Sequence, residues 1–109
     1  MGTYVKTESH VCNLTPGISK CKYGLSENAV LIDSNSRGEL KVIIPMVGDD
    51  HSDIINNPPD VVIAVPYNSS NLSAELGVGE LKTGGFTAYM KNTGASASYF
   101  KVMYLAIWN

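Results

Sequence analysis

Charged residues are scarce in this sequence, and the two signs are nearly balanced. Charged residues make up 17% of the 109-residue chain, and the formal net charge at pH 7 is -2. Because the two signs are interspersed, the sequence predicts no basic surface for nucleic acid and no polybasic segment for a membrane. No apolar run approaches the length of a membrane span. We therefore expect no nucleic-acid partner and no membrane insertion.

An apolar signal region is also missing from the N-terminus, so we expect no cleavable signal peptide in this sequence. A mature or trimmed fragment that carries an added Met-Gly is an open alternative. The length predicts a single domain over residues 1–109. A domain of this size has a modest core, and self-association adds to its stability.

Cysteine is limited to Cys12 and Cys21, with Pro16 and Gly17 between them. Two thiols at this spacing either form a disulfide across a short loop or stay reduced, and the sequence leaves both alternatives open. A zinc pair is not expected, because zinc needs about four ligands in a recognisable spacing.

Catalytic motifs are lacking as well. No serine occupies a Gly-x-Ser-x-Gly turn, and no glycine-rich loop of the Walker or dinucleotide type is present. Asp49, Asp50, His51 and Asp53 form the densest polar cluster, but they lack the alternation and distal Glu of a calcium loop. We therefore expect no enzyme, no cofactor and no metal site.

What the sequence does contain is a C-terminal stretch, Ser98–Trp108, that is dense in aromatic and branched side chains. This composition favours a strand over a buried helix, and strand side chains alternate between two faces. One face carries Phe100, Val102, Tyr104, Ala106 and Trp108. The other carries Tyr99, Lys101, Met103, Leu105 and Ile107. Both faces are mostly apolar, so we predict that one lies in the core and the other contacts another subunit.

Five further stretches have the composition or the two-residue alternation of strands. They are Thr3–Val11, Glu39–Val47, Asp60–Tyr67, Leu72–Lys82 and Phe86–Lys91. With the C-terminal stretch they predict an all-β fold, an antiparallel β-sandwich of about six strands whose last three strands form a meander. No sustained helical periodicity competes with this interpretation.

Turn and breaker residues refine the prediction. Pro45 places its strand at a sheet edge or ends it there. We interpret Gly77-x-Gly79 as bulge glycines and Thr83-Gly84-Gly85 as a hairpin signal. Residues 12–28 are interpreted as an ordered loop, and Ala29–Ile32 as either a short strand or a buried loop segment.

The C-terminal half resembles H-type lectins and the small lectin-like domains at the C-terminal ends of bacteriophage tail fibres. The segments that carry the resemblance are Pro58-Pro59-Asp60-Val61-Val62-Ile63, Leu72–Leu81, Gly85-Phe86-Thr87-Ala88 and Tyr104-Leu105-Ala106-Ile107. The resemblance implies a six-stranded H-type lectin-like sandwich that assembles as a homotrimer and binds carbohydrate near the subunit interfaces.

The binding residues of the H-type lectins match this chain poorly, since its corresponding loop has neither Trp nor His. Members that bind N-acetylgalactosamine use a Trp-His pair before the last strand, where this chain reads Lys91-Asn92-Thr93-Gly94-Ala95. Sugar binding needs planar polar groups and an aromatic face. The predicted ligand-binding residues are Lys91, Asn92 and Thr93 from one loop, Asp49, Asp50 and His51 from another, and Tyr99 or Tyr67 as the ring.

Two hypotheses about function follow. The first is a carbohydrate- or receptor-binding module, the trimeric tip of a phage tail fibre or a lectin-like adhesin, located in the virion or outside the cell. Its partner would be a host-surface glycan or receptor. The second is a structural virion protein, a decoration or adaptor subunit that uses the sandwich for assembly only.

Overall fold

Strands make up most of the chain in the computed structural model, which describes residues 9–15, 19–70 and 72–109. The strands are β1 (Ser9–Thr15), β2 (Ser19–Leu25), β3 (Val30–Ile32), β4 (Arg37–Ile43), β5 (Val61–Tyr67), β6 (Ala74–Lys82), β7 (Gly85–Asn92) and β8 (Ser98–Trp108), and the helix is α1 (Ser52–Asn56). Every pairing between these strands is antiparallel. The predicted all-β antiparallel sandwich is confirmed.

β8 is the central strand of a five-stranded sheet. Along one edge β2 pairs with Met103–Trp108 and β3 pairs with Ser98–Phe100, and β5 pairs with Lys101–Ile107 along the other edge. β1 extends the sheet beyond β2. Ser26 fills the break between β2 and β3, since its amide donates to the Val102 carbonyl at 2.8 Å and its Oγ accepts from the Val102 amide at 2.9 Å.

β4, β7 and β6 form the second sheet in that order. The two-residue turn Thr83-Gly84 joins β6 to β7, and Gly84 has a φ of 86°, which favours glycine. The β6–β7 register shifts between Gly79 and Lys82, and Glu80 has a φ of 51°. The predicted bulge and hairpin are confirmed, as is the end of edge strand β4 before Pro45.

The core lies between the two sheets. Of the two faces of β8, the one that carries Phe100 to Trp108 at alternate positions is buried along its whole length, and β7 contributes Phe86, Ala88 and Met90. The rings of Phe86 and Tyr104 meet edge to face with centroids 5.8 Å apart. Trp108 closes one end of the core, and its Nε1 donates to the Asn57 carbonyl at 2.9 Å. Burial of each large apolar side chain stabilises the fold by roughly 1.5–3 kcal/mol.

The interpretation of residues 12–28 as a loop is wrong. β1 continues to Thr15 and β2 occupies Ser19–Leu25. β2 was not predicted because Lys22, at an inward position, breaks the alternation expected of a strand. Its side chain is nevertheless buried and paired with Asp50 at 2.7 Å. Val30–Ile32 is a strand, so that alternative is correct.

The predicted meander is also wrong at its last step. β6 and β7 form a hairpin, but β8 pairs with β2, β3 and β5 and therefore lies in the other sheet. Alternation along a strand does not determine which strand is its neighbour. The polar connection after β4 contains α1, and residues 3–8 of the predicted first strand lie outside the described residues.

A disulfide joins β1 to β2. Cys21 is disulfide-bonded, and the only other cysteine of the sequence, Cys12, is its register partner in the β1–β2 ladder. Of the two alternatives left open by the sequence, the bridge is therefore the one found. It fixes the β1–β2 hairpin at the edge of the five-stranded sheet.

Candidate functional site

The residues predicted to bind a ligand lie at opposite ends of the sandwich. Asp50 precedes α1 and contacts Lys22, which pairs with Ala106 near the end of β8. Asn92 lies near the start of β8, where its Nδ2 donates to the Ser96 carbonyl. The ten residue steps of β8 correspond to about 33 Å. The two predicted loops therefore do not form one site.

Asp50 has a structural role. Its carboxylate is buried, pairs with the Lys22 ammonium at 2.7 Å and accepts the Val47 amide at 2.8 Å. The same ammonium donates to the Pro45 carbonyl. This network ties β2 to the connection between β4 and α1, and it leaves Asp50 inaccessible to a ligand.

Asn92 is buried as well. Its Nδ2 donates to the carbonyls of Ile32 and Ser96, both at 2.9 Å, and its Oδ1 accepts the Gly94 amide at 2.8 Å. The side chain closes the loop between β7 and β8 and contacts β3. Both Nδ2 donors are used inside the protein and the side chain is buried, so in this structure Asn92 presents no donor to a ligand.

The remaining predicted residues are accessible but dispersed. His51 is the N-cap of α1, where its Nδ1 accepts the Asp53 amide at 3.1 Å. The Thr93 hydroxyl lies 2.9 Å from that of Ser73. Lys91 lies on the outer face of the three-stranded sheet, and Tyr99 is 64% exposed on the outer face of the five-stranded sheet. Lys91 and Tyr99 thus belong to opposite sides of the molecule.

The outer face of the five-stranded sheet, hereafter the apolar face, is covered by hydrophobic side chains. Paired residues of antiparallel strands share a face, and the registers of β2, β3, β5 and β8 align the exposed ones. They are Tyr23, Leu31, Val61, Ile63, Val65, Tyr67, Tyr99 and Met103. Leu105 and Ile107 lie between them, half-buried.

The apolar face is also nearly free of charge. Among the described residues of β2, β3, β5 and β8, only Lys101 places a charge on it. Seven residues of β5 and a width of three strands give about 23 by 14 Å, or about 320 Å² before side-chain relief is counted. The largest apolar patch on an ordinary monomer covers about 300–600 Å² and is often functional, so a face of this size is compatible with an interaction site.

The outer face of the three-stranded sheet, hereafter the polar face, has the opposite character. Its registers align Arg37 with Lys91 and Glu75, Glu39 with Tyr89 and Gly77, and Lys41 with Thr87 and Gly79. Charged side chains of both signs therefore surround one half-exposed aromatic ring. This face also contains two glycines within a regular strand.

The bulge at Glu80 organises one end of the polar face. Thr87 Oγ1 donates to Glu80 Oε1 at 2.8 Å, and the Tyr89 hydroxyl lies near this carboxylate. The hydrogen bond from Thr87, together with the nearby Lys41 charge, lowers the pKa of the Glu80 carboxyl. Loss of water contact and the Glu80 charge raise the pKa of the Tyr89 hydroxyl. Glu80 thus remains ionised and Tyr89 protonated near neutral pH.

Comparison of the chain with protein-family models, with curated proteins and with solved structures gives no match. In the described ranges 9–15, 19–70 and 72–109, no helix has the length and hydropathy to cross a membrane. The same ranges contain no group of three His, Cys, Asp or Glu residues placed to hold a metal ion.

Tyr89 is not among the site residues predicted from the sequence. Its neighbours on the polar face are Glu39 and Gly77, which come from β4 and β6. A signal was present in the sequence, since Gly77 interrupts the strand Leu72–Lys82 and glycine weakens a strand interior. We interpreted Gly77 as a bulge glycine, but the register shift begins only after Gly79.

Proposed function

We propose that this protein is a carbohydrate- or receptor-binding module that assembles into a homotrimer through its apolar face. The observation that carries the proposal is the difference between the outer faces of the two sheets. One face is apolar and almost uncharged, and the other combines an exposed ring with charged groups of both signs. Assembly through the first leaves the second available to a ligand.

Copies of the same chain are the expected occupants of the apolar face. A surface with so little charge does not repel an identical surface, and burial of its apolar side chains favours association, although the entropy lost on assembly offsets part of this gain. Tyr99 belongs to this face, so its expected role changes from ligand contact to subunit contact. The resemblance to H-type lectins and phage fibre domains implies three copies.

The disulfide supports a location in the virion or outside the cell. Disulfides such as that of Cys21 form and persist mainly in oxidising surroundings. A receptor-binding tip of a phage tail fibre or a lectin-like adhesin functions in such surroundings.

The alternative is a structural virion protein that uses the sandwich for assembly only. The apolar face favours it as much as it favours a lectin-like module, because both need a subunit interface. The two hypotheses differ in what the polar face does. A structural subunit would cover it with neighbouring protein, whereas a receptor binder leaves it open.

An array of immobilised neutral and sialylated glycans tests the proposal directly. The assembled protein is labelled, applied to the array and measured in parallel for its mass in solution. Binding to a defined set of glycans is the expected result. An assembled protein that binds none of them contradicts the proposed function and favours the structural alternative.

A further inference from the structure

We infer that the polar face holds a subsite for one ring of a neutral saccharide, in the depression above Gly77 beside Tyr89. The inference rests on the proposed function and names the place and chemical class of its ligand. The depression has a volume of about 560 Å³ and is open to solvent. Its charged and aromatic lining is Arg37, Glu39, Glu75, Tyr89 and Lys91, and Gly77 lies in its floor.

Gly77 is the first support, because the folded chain does not explain it. Its φ is not in the left-handed region, and a methyl group built on it would meet no atom within 4 Å. Glycine in a strand interior costs roughly 0.5–1 kcal/mol relative to alanine. A strand glycine without a local reason often marks the close approach of a ligand or another backbone.

Gly79 provides the contrast two residues away. A methyl group there would lie 2.9 Å from Tyr89 Cε2, so this glycine accommodates the ring within the chain. The ring therefore leans over Gly79, although its direct register partner is Gly77. The Tyr89 hydroxyl lies near the Glu80 carboxylate. The ring forms a wall and leaves the space above Gly77 open.

The rim supplies charged hydrogen-bonding groups around that space. Arg37 and Lys91 donate hydrogen bonds, and Glu39 and Glu75 accept them. In the part of the chain that the structure describes, none of these four side chains is engaged in a hydrogen bond or ion pair with another residue. Their hydrogen-bonding capacity is free for hydroxyl groups of a ligand.

The balance of charge selects the ligand class. Two cations and two carboxylates line the depression, so their formal charges cancel. An anionic ligand in the depression would be repelled by the two carboxylates as well as attracted by the two cations. An uncharged polyol can hydrogen-bond to both kinds of group. Tyr89 is 43% exposed and can contact the C–H side of a pyranose ring. The balanced charge and this ring together favour a neutral saccharide.

Two substitutions test the subsite, each with a matched control. Gly77→Val fills the depression with a side chain that strands favour, and Tyr89→Ala removes the wall. Tyr89→Phe keeps the ring and loses the hydroxyl. Ile43→Thr changes an exposed side chain of the same sheet face, about 13 Å along β4 from Glu39.

The labelled proteins are compared on the glycan array, with their masses and thermal unfolding measured alongside. We expect wild type to prefer neutral glycans, and Gly77→Val and Tyr89→Ala to lose about tenfold or more in affinity. Ile43→Thr should stay within about threefold of wild type, and Tyr89→Phe, which keeps the ring, should lose less affinity than Tyr89→Ala. Folded Gly77→Val and Tyr89→Ala variants that bind like wild type would overturn the subsite and leave the proposed function standing.

Other outcomes also decide. A preference for sialylated glycans that disappears in Arg37→Ala overturns the neutral ligand class. A smaller mass for Gly77→Val shows that another copy, not a saccharide, covers Gly77, and this overturns the subsite as well. Absence of binding by assembled wild type contradicts the proposed function itself.

Discussion

The two sheets of this sandwich are alike on their inner faces and opposite on their outer faces. Both inner faces contribute apolar side chains to one core. Outside, the five-stranded sheet presents Ile63, 57% exposed, among other aliphatic and aromatic residues, whereas the three-stranded sheet presents charges around Tyr89. The difference teaches that strand position alone does not predict whether the outer face of a sheet is polar or apolar.

The strongest test of this comparison uses neighbouring residues on the two faces of β8. Val102→Asp places an unpaired charge in the core and should cost roughly 4–5 kcal/mol or more. That cost approaches the whole stability of a small domain, about 5–15 kcal/mol. Far-ultraviolet circular dichroism during chemical denaturation should show an unfolded or barely folded subunit. A stable folded variant would mean that the inner face is not packed as described.

Asp50→Ala tests the assignment of this carboxylate to structure. It leaves the Lys22 ammonium buried without its partner, which should cost about 3–5 kcal/mol. The double variant Asp50→Ala with Lys22→Met should recover most of this loss, because no charge is then left buried. Denaturation curves of the three proteins measure the effect. An Asp50→Ala variant as stable as wild type, with weakened glycan binding, would restore Asp50 as a ligand residue.

Met103→Asp, on the outer face of β8, tests whether the apolar face is a subunit interface. Met103 is exposed in the single chain, so the folded subunit should lose at most about 1 kcal/mol. The assembly should dissociate, since the charge would be buried without a partner at the subunit interface. Light scattering gives the mass, and Leu105→Asp should behave in the same way. An unchanged mass for both variants would remove the apolar face from the interface.

The smallest expected effect separates the two glycines of β6. Gly77→Ala should stabilise the fold by roughly 0.5–1 kcal/mol, because the added methyl group meets nothing and restricts the unfolded chain. Gly79→Ala should give no such gain, because its methyl group would press on the Tyr89 ring. Thermal unfolding of the pair measures the difference. Equal changes in stability for the two variants would contradict the inference that Gly77, unlike Gly79, is not required by contacts within the chain.

Much of the fold is predictable from the sequence where one face of a strand is apolar throughout. β8, β5 and the β6–β7 hairpin follow from alternation and turn residues alone. β2 does not, because its inward Lys22 is compensated by Asp50, 28 residues further along the chain. The position of β8 in the other sheet is likewise a property of pairing between distant strands.

The candidate site is less predictable, because it depends on register across three strands. Lys91 was identified from its loop, but its neighbours Arg37 and Glu75 come from β4 and β6. Loop position is also a poor guide to exposure, since Asn92 lies in a stretch with the composition of an exposed turn and is buried. Exposure of a polar residue near a loop depends on which backbone groups it satisfies.

Sedimentation equilibrium of the wild-type protein at micromolar concentration tests the central claim most directly. The account predicts a single species with the mass of three 11.7 kDa chains, because the apolar face is then withdrawn from water. A stable monomer of 11.7 kDa, with that face in contact with solvent, would contradict it.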